Sequence, residues 1–187
     1  MQDISLENSG SMYHWISSAK GLGMELPRDC SSPNDLMALR EQFDFGHTIM
    51  THAVRQGIAS FTFAGLRVPA VLNGTAATND ISQVVLSPLE VVVFQEHLHD
   101  RITMLARNNR MLREIWAFNE RSRCFREFEL TSTRTACEVI IQTADVVAAL
   151  RGGSENMVID ALERNLAYRL NRLEVLLSQL VRAQAGP

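Results

Sequence analysis

The sequence lacks both a hydrophobic run long enough to cross a membrane and a secretion signal. A transmembrane helix needs roughly 20 consecutive apolar residues, and no stretch of this chain approaches that length. The chain starts with MQDISLENSG, which is acidic and polar, whereas a secretory signal starts with basic residues followed by an apolar stretch. We therefore expect a cytoplasmic protein with no membrane-spanning segment.

Cysteine is scarce, and there is no excess of positive charge. Cys30, Cys124 and Cys137 are widely separated and form no CxxC pair, so the sequence predicts neither a disulfide framework nor a cysteine-based zinc site. The formal net charge is −3, whereas a nucleic-acid-binding protein usually carries a basic surplus that displaces counterions from phosphate. We expect that these residues do not bind DNA by themselves, although a separate domain could supply that activity.

The signatures of common enzymes are absent as well. The sequence contains no GxSxG elbow, glycine-rich phosphate loop, HExxH pair or EF-hand loop, and these patterns carry the usual catalytic and metal chemistry. It also lacks β-hairpin signals and internal repeats. What remains is a globular composition, with 46% hydrophobic and 21% charged residues among 187, which suits one domain with its own core.

Two regions differ in composition. Residues 1–31 are rich in serine, glycine and other polar residues, and they predict a flexible leader with one short helix over Tyr13–Lys20. The apolar cluster of this leader either packs on the domain surface or marks a segment cut from a longer protein. Residues 32–187 are predicted to form a single helical domain.

Helical periodicity and capping signals predict six helices in this domain. Ser32 and Pro33 suit the start of the first helix, and Gly57 suits its end. The stretch Ser87–Glu90 is a capping box at the start of the third helix, and the Gly152-Gly153 pair suits the end of the fifth because glycine tolerates a left-handed backbone. The predicted helices cover 32–57, 59–72, 87–107, 110–128, 131–151 and the region from Ser154 onward. The predicted fold is an all-α antiparallel bundle.

Weaker signals in the middle of the chain bear on these bounds. Asn108-Asn109 is expected to separate the third and fourth helices, and residues 73–80 are a loop on composition. Pro69 must lie near the end of the second helix or bend it. The runs Val84–Leu86 and Val91–Phe94 have high β-propensity, so strands there are an alternative. The capping box and the later periodicity favour helices.

Polar residues interrupt the apolar faces of three predicted helices. Gln95 and His99 are four residues apart and share a face of the third helix. Thr143 interrupts the apolar stripe of the fifth helix, and Asn165 interrupts that of the sixth. Burying such groups without partners costs about 1–3 kcal/mol each, so we predict that all four line one internal cavity that binds a small molecule. For His99 the alternative is a hydrogen bond to a neighbouring helix.

Arg40 is the candidate cation of this site. It interrupts the first helix among apolar residues and could hold a carboxylate or phosphate. The alternative is a surface arginine whose aliphatic stem lies along the bundle. His47, His52 and His97 show no partner spacing, and we expect surface or structural roles for them.

Several stretches resemble one known family. They are residues 35–43 (DLMALREQF), 94–99 (FQEHLH), 105–112 (LARNNRML), 148–154 (AALRGGS) and 161–166 (ALERNL). They resemble the FCD domain, the helical effector-binding C-terminal half of FadR-type GntR bacterial transcription regulators. The resemblance covers Asp35 to Leu180 and implies a bundle of about six helices that binds an effector in its core and forms dimers.

The metal site found in many FCD domains allows a prediction about the cofactor of this chain. Many members have an Asp and a His four apart on one helix and one further His on each of the last two helices. The resemblance places Gln95, His99, Thr143 and Asn165 at these positions. Neutral amide and hydroxyl groups are poor ligands for a transition metal, so we expect no metal, no other cofactor and a metal-free pocket.

Three functions follow as hypotheses. The first is an effector domain in which Arg40 anchors a small organic acid or acyl ligand and the four polar residues bind it by hydrogen bonds. DNA would be contacted through a winged-helix domain, for which residues 1–31 are too short. The second is a free-standing small-molecule-binding or protein-interaction module. The third, an enzyme with His99 as general base, is not favoured because no acidic partner has the required spacing.

Overall fold

The structure, a computed structural model, describes residues 33–72, 88–130 and 133–185. Within those ranges the regular secondary structure is helical and there is no strand, which confirms the predicted all-α class. The described α-helices are α1 (Pro33–Gly57), α2 (Pro88–Thr103), α3 (Asn109–Glu129), α4 (Thr133–Gly152) and α5 (Glu155–Ala185). None of them has the length and hydropathy of a bilayer-spanning segment. The leader helix at Tyr13–Lys20 and the loop at 73–80 lie outside the described residues.

The helix ends follow the local signals in the sequence. The side-chain oxygen of Asn108 accepts hydrogen bonds from the backbone N–H groups of Arg110 and Met111, at 3.0 and 3.3 Å, and so caps α3. Asn108 thus separates α2 from α3, as predicted. At the end of α4, Gly153 adopts φ +67°, which glycine tolerates without a Cβ clash. The predicted stop at Gly57 also coincides with the end of α1.

The predicted helix over residues 59–72 is wrong. Ile58–Ser60 and Ala70–Leu72 form short 3-10 turns, and the residues between them are not helical. Pro69 has no backbone N–H and disfavours a helical conformation in the residue before it. Gly65 adopts φ +76°, which a helix does not contain. The apolar residues of this segment instead pack their side chains on the core from an irregular backbone: Phe61, Phe63, Leu66 and Val68.

Helix α1 lies at the centre of the helix contacts. It contacts α2, α3 and α5, while α4 packs mainly on α5 and α2 packs on α3. The buried face of α1 includes Phe43, whose ring makes edge contacts with Phe118 and Phe125 of α3, at centroid distances of 5.4 and 5.7 Å. One turn further along α1, Gly46 is buried against the same Phe118 ring. The missing side chain at Gly46 lets α1 and α3 approach closely.

We predict that Gly46→Val destabilises the fold. A Cβ at Gly46 would lie 3.1 Å from Cγ of Phe118, so a larger side chain must displace that ring and should lower the free energy of unfolding by about 1–3 kcal/mol. Gly152→Val is the matched control, because a Cβ at Gly152 meets nothing within 4 Å. Urea unfolding measures both variants, and equal midpoints for the two would contradict the close approach.

Candidate functional site

A cavity lies among α1, α2, α4 and α5, with Phe118 of α3 in its wall. Its volume is about 40 Å³, which is room for about three water molecules. The structure brings four predicted residues together here: Gln95 and His99 from α2, Thr143 from α4 and Asn165 from α5. The other lining residues are mostly apolar: Phe43, His47, Met50, Leu98, Ile102, Phe118, Val146, Leu162, Leu166 and Arg169.

Arg40 does not line this cavity, which corrects the expectation that it supplies the cation there. Its side chain is 47% exposed and forms an ion pair of 3.0 Å with Glu174, which is 59% exposed. Consecutive residues are separated by about 100° around a helix, so Arg40 is turned away from the face that buries Leu39 and Phe43. An exposed pair of this kind contributes little to stability.

Arg169 of α5 is the cation that borders the cavity, and the sequence analysis missed it. The residue is 4% exposed, and its guanidinium carbon lies 5.2 Å from the ring centroid of Phe43. Its Nη1 donates to Oε2 of Glu129 at 2.5 Å, its Nη2 to Oε1 of Gln95 at 3.4 Å and its Nε to Oδ1 of Asn165 at 3.3 Å. Its position four residues after Asn165, on the same helix face, is the signal that could have identified it.

Gln95 of α2 and Thr143 of α4 form a hydrogen bond between the two helices. The Nε2 group of Gln95 donates to Oγ1 of Thr143 at 2.9 Å, and the Thr143 hydroxyl donates to the carbonyl of Val139 at 2.7 Å. Because Oε1 of Gln95 accepts from Arg169, both ends of this amide are bound. These two side chains therefore join α2, α4 and α5 in one hydrogen-bonded chain.

His99 is a neutral imidazole with a defined tautomer. Its Nδ1 lies 2.8 Å from Oδ1 of Asn119, and Nδ2 of Asn119 donates to Oδ1 of Asp100 at 3.3 Å. Since that amide oxygen can only accept, the proton must be on Nδ1 of His99, which leaves Nε2 unprotonated. Burial, reinforced by the charge of Arg126, lowers the pKa of His99 to about 3 although the hydrogen bond to Asn119 opposes the change.

Outside the cavity, a second buried charge cluster fastens α2 to α3. Oε1 of Glu96 accepts from Nη2 of Arg126 at 2.8 Å and from Nε of Arg123 at 2.9 Å. Arg126 is 1% exposed and also donates to Ser122 and to two backbone carbonyls. Burial lowers its pKa to about 10, and the nearby charge of Arg169 acts in the same direction. The sequence analysis did not identify this cluster.

Glu129 is the counter-ion of Arg169 and is 1% exposed. Burial raises the pKa of this carboxyl, and the positive charges of Arg169, Arg172 and Arg126 oppose that rise. A buried carboxylate of this kind depends on its hydrogen-bonded partner. The pair therefore fixes the position of α5 relative to α3.

The donor set beside the cavity does not suit a metal ion. Among the described residues, no three side chains of His, Cys, Asp or Glu lie together as a metal site would require. Gln95 and Asn165, two of the four polar residues predicted to line the cavity, both accept hydrogen bonds from the Arg169 guanidinium. A metal ion there would also need an anionic ligand, and no carboxylate is among the residues that line the cavity.

A wider cleft of about 480 Å³ lies where α1 and α2 end, and it contains none of the predicted residues. Arg101 and Arg107 line it, and Nη2 of Arg101 donates to the carbonyl of Ala64 at 2.9 Å. Cations favour the C-terminal ends of helices because unpaired carbonyls accumulate there. The favourable interaction of cations with helix C-termini thus explains why these two arginines lie here.

No protein-family model, curated protein or solved structure matches the chain. The resemblance of residues 35–180 to the FCD domain therefore stays a prediction.

We predict that Thr143→Val destabilises the fold more than an equivalent change on the surface. The substitution leaves the buried Nε2 group of Gln95 without an acceptor, which should lower the free energy of unfolding by about 1–3 kcal/mol. Thr48→Val is the control, since the exposed Thr48 makes the same bond to a carbonyl four residues earlier, at 3.0 Å. Chemical denaturation of both variants measures the difference, and equal losses would show that the Gln95 contact contributes nothing.

A second prediction concerns acid. The folded-state pKa of His99 is about 3, below its ordinary 6.5, so the unfolded chain binds more protons and stability falls as the pH drops below about 6.5. Between about pH 7 and pH 5, His99→Gln should avoid a loss of about 2 kcal/mol that the parent chain suffers. Urea unfolding at the two pH values tests this, and parallel losses in parent and variant would refute a depressed pKa.

Proposed function

We propose that this chain is an effector-sensing domain of a FadR-type GntR transcription regulator, with FCD-like antiparallel helices around a small organic ligand. The observation that carries the proposal is the convergence of Gln95, His99, Thr143 and Asn165 from three helices on one cavity beside Arg169. A pocket between helices with a few convergent polar groups is a common form of ligand site.

The size of the cavity suggests how sensing works. A volume of about 40 Å³ is well below the roughly 300–1,000 Å³ of typical ligand pockets. An effector larger than a few atoms must therefore move α2, α4 or α5 apart as it binds. A ligand that prefers the wider arrangement shifts the population towards it, and that change of helix positions is the signal.

The resembling stretches supply the same helices that form the cavity. Residues 94–99 carry the polar pair of α2, and residues 148–154 and 161–166 form the α4–α5 joint and the cavity-facing part of α5. DNA would be contacted by a winged-helix domain and not by these helices, because a net charge of −3 offers no basic surplus. A homodimer in the cytoplasm is the corresponding assembly and location.

Catalysis is not part of the proposal. A general base works best when its pKa lies near the operating pH, and burial lowers the pKa of His99 to about 3. Asp100 reaches His99 only through Asn119, so no carboxylate orients the ring directly. The properties of His99 favour a hydrogen-bond acceptor over a proton-transfer group.

A thermal-shift screen against small organic compounds, both charged and uncharged, tests ligand binding. An effector at a hundred times its Kd should stabilise the parent chain by about 2.7 kcal/mol. Asn165→Leu should abolish this gain because it fills the cavity with an apolar side chain. Asn156→Leu, at an exposed position of the same helix, should keep it. Equal stabilisation of both variants would place the ligand elsewhere and refute the proposed site.

A free-standing small-molecule-binding or protein-interaction module is the alternative, and the net charge of −3 favours it. Transcript levels in native cells separate the two functions. If the chain is a regulator, cells carrying Asn165→Leu lose effector-dependent changes in a small set of transcripts, while cells carrying Asn156→Leu keep them. Unchanged transcripts in both would support the alternative.

A further inference from the structure

We propose that the cavity selects an uncharged ligand that donates a hydrogen bond, such as an alcohol or a primary amide, and discriminates against carboxylates. The inference rests on the proposed ligand-sensing function and names the chemical class of its ligand. It replaces the organic acid that the sequence predicted together with Arg40. Three features of the described residues carry it: the charge balance, the free hydrogen-bonding atoms and the volume.

The charge balance leaves no site for an anion. Arg169 borders the cavity, but its guanidinium is already paired with Glu129 at 2.5 Å, and the two side chains are 5% and 1% exposed. A ligand carboxylate would therefore meet a neutral pair in a place where it loses its hydration, and an uncompensated buried charge is strongly unfavourable. Arg172 also acts on Glu129, but it does not line the cavity.

A cationic ligand is excluded by the same geometry. The carboxylate of Glu129 is already bound to Arg169 and does not line the cavity, so a ligand cation would lose its hydration and gain no counter-ion. An uncharged ligand avoids both costs.

The unprotonated Nε2 of His99 can bind a hydrogen-bond donor on the ligand. Nδ1 of His99 is bound to Asn119, which does not line the cavity, so the opposite edge of the ring with Nε2 is the edge available to a ligand. Nε2 is unprotonated and can only accept. A carboxylate has no hydrogen to offer it, whereas a hydroxyl or an amide does.

The amide nitrogen of Asn165, on α5, offers a ligand a hydrogen-bond donor. Oδ1 of Asn165 accepts from Arg169, and no described residue accepts from the Nδ2 group of Asn165. A ligand therefore meets an acceptor on α2 and a donor on α5. A hydroxyl or primary amide supplies the complementary donor and acceptor in one functional group.

The volume of the cavity limits the size of the ligands that can be used as probes. A space of about 40 Å³ accepts a molecule of about four non-hydrogen atoms. Acetamide, acetate and acetamidinium have nearly the same size and shape and differ in charge. Titration of the full chain with each of them at neutral pH, followed by the NMR signals of the His99 ring nitrogens and the backbone amides, measures the preference directly.

In the parent chain, acetamide should shift the Nε2 signal of His99 and bind about tenfold more tightly than acetate. Acetamidinium should leave that signal unchanged. Acetate binding as tightly as acetamide would overturn the inference and leave the sensing function intact. If none of the probes shifts the cavity signals, or if the shifts cluster at Arg101 and Arg107 in the wider cleft, the cavity is not a ligand site and both proposals fail.

The Glu129→Gln variant should reverse the preference for acetamide over acetate. The variant removes the counter-ion of Arg169 and keeps the shape of the side chain, so acetate should now bind more tightly than acetamide. Glu174→Gln, the same change at the exposed partner of Arg40, should keep the parent order. An unchanged order in a folded Glu129→Gln variant would overturn the inference. If that variant does not fold, the acetamide-to-acetate ratio of the parent chain decides alone.

Discussion

The ion pair between Arg169 and Glu129 is the interaction on which the arrangement of this protein depends. Both side chains are almost completely buried, and Nη1 of Arg169 lies 2.5 Å from Oε2 of Glu129. Removing two charges from water costs several kcal/mol per ion, and the cost is recovered only where geometry and additional hydrogen bonds are good. Arg169 gains such bonds from Gln95 and Asn165, whereas Oε1 of Glu129 has no hydrogen-bond partner among the described residues. The pair thus fixes α5 against α3 and α2 and defines one wall of the cavity.

A second buried pair, outside the cavity, fixes α2 against α3. Glu96 and Arg126 hold α2 on α3. Asn119, one turn before Arg126's partner Ser122, binds His99 directly and sets its tautomer, while Asp100 orients the amide of Asn119. Helix α3 supplies only Phe118 to the lining, yet it controls which atom of His99 a ligand meets. The tautomer of His99 is therefore determined by residues that do not line the cavity.

Local sequence signals predicted much of the fold. Asn108, Gly57 and the Gly152-Gly153 pair mark helix ends because caps and glycine conformations act over a few residues. Residues 59–72 were mispredicted because their apolar side chains suggested a helix, whereas Pro69 and Gly65 impose an irregular path. Gln95, His99, Thr143 and Asn165 were identified as a group because a polar residue on an apolar helix face needs a buried partner.

Local sequence patterns did not distinguish the exposed Arg40 from the buried Arg169. Arg40 comes one residue, or about 100° around the helix axis, after the buried Leu39 and is exposed, whereas Arg169 lies on the buried face of α5. The partner of Arg169 is 40 positions away along the chain, so no local pattern identifies Glu129. The charge of the cavity, and with it the class of ligand, depends on that long-range pair and could not be derived from spacing.

The polar lining also determines what kind of opening a ligand can cause. An apolar molecule of the right size would separate the helices but leave Nε2 of His99 and Nδ2 of Asn165 without partners, which costs about 1–3 kcal/mol for each group. A ligand that binds both atoms gives them partners in the wider arrangement and lowers its free energy relative to the closed one. Because α2 and α5 carry the two atoms, only such a ligand links the two helices while it separates them. Recognition and helix displacement are thus two consequences of the same pair of hydrogen bonds.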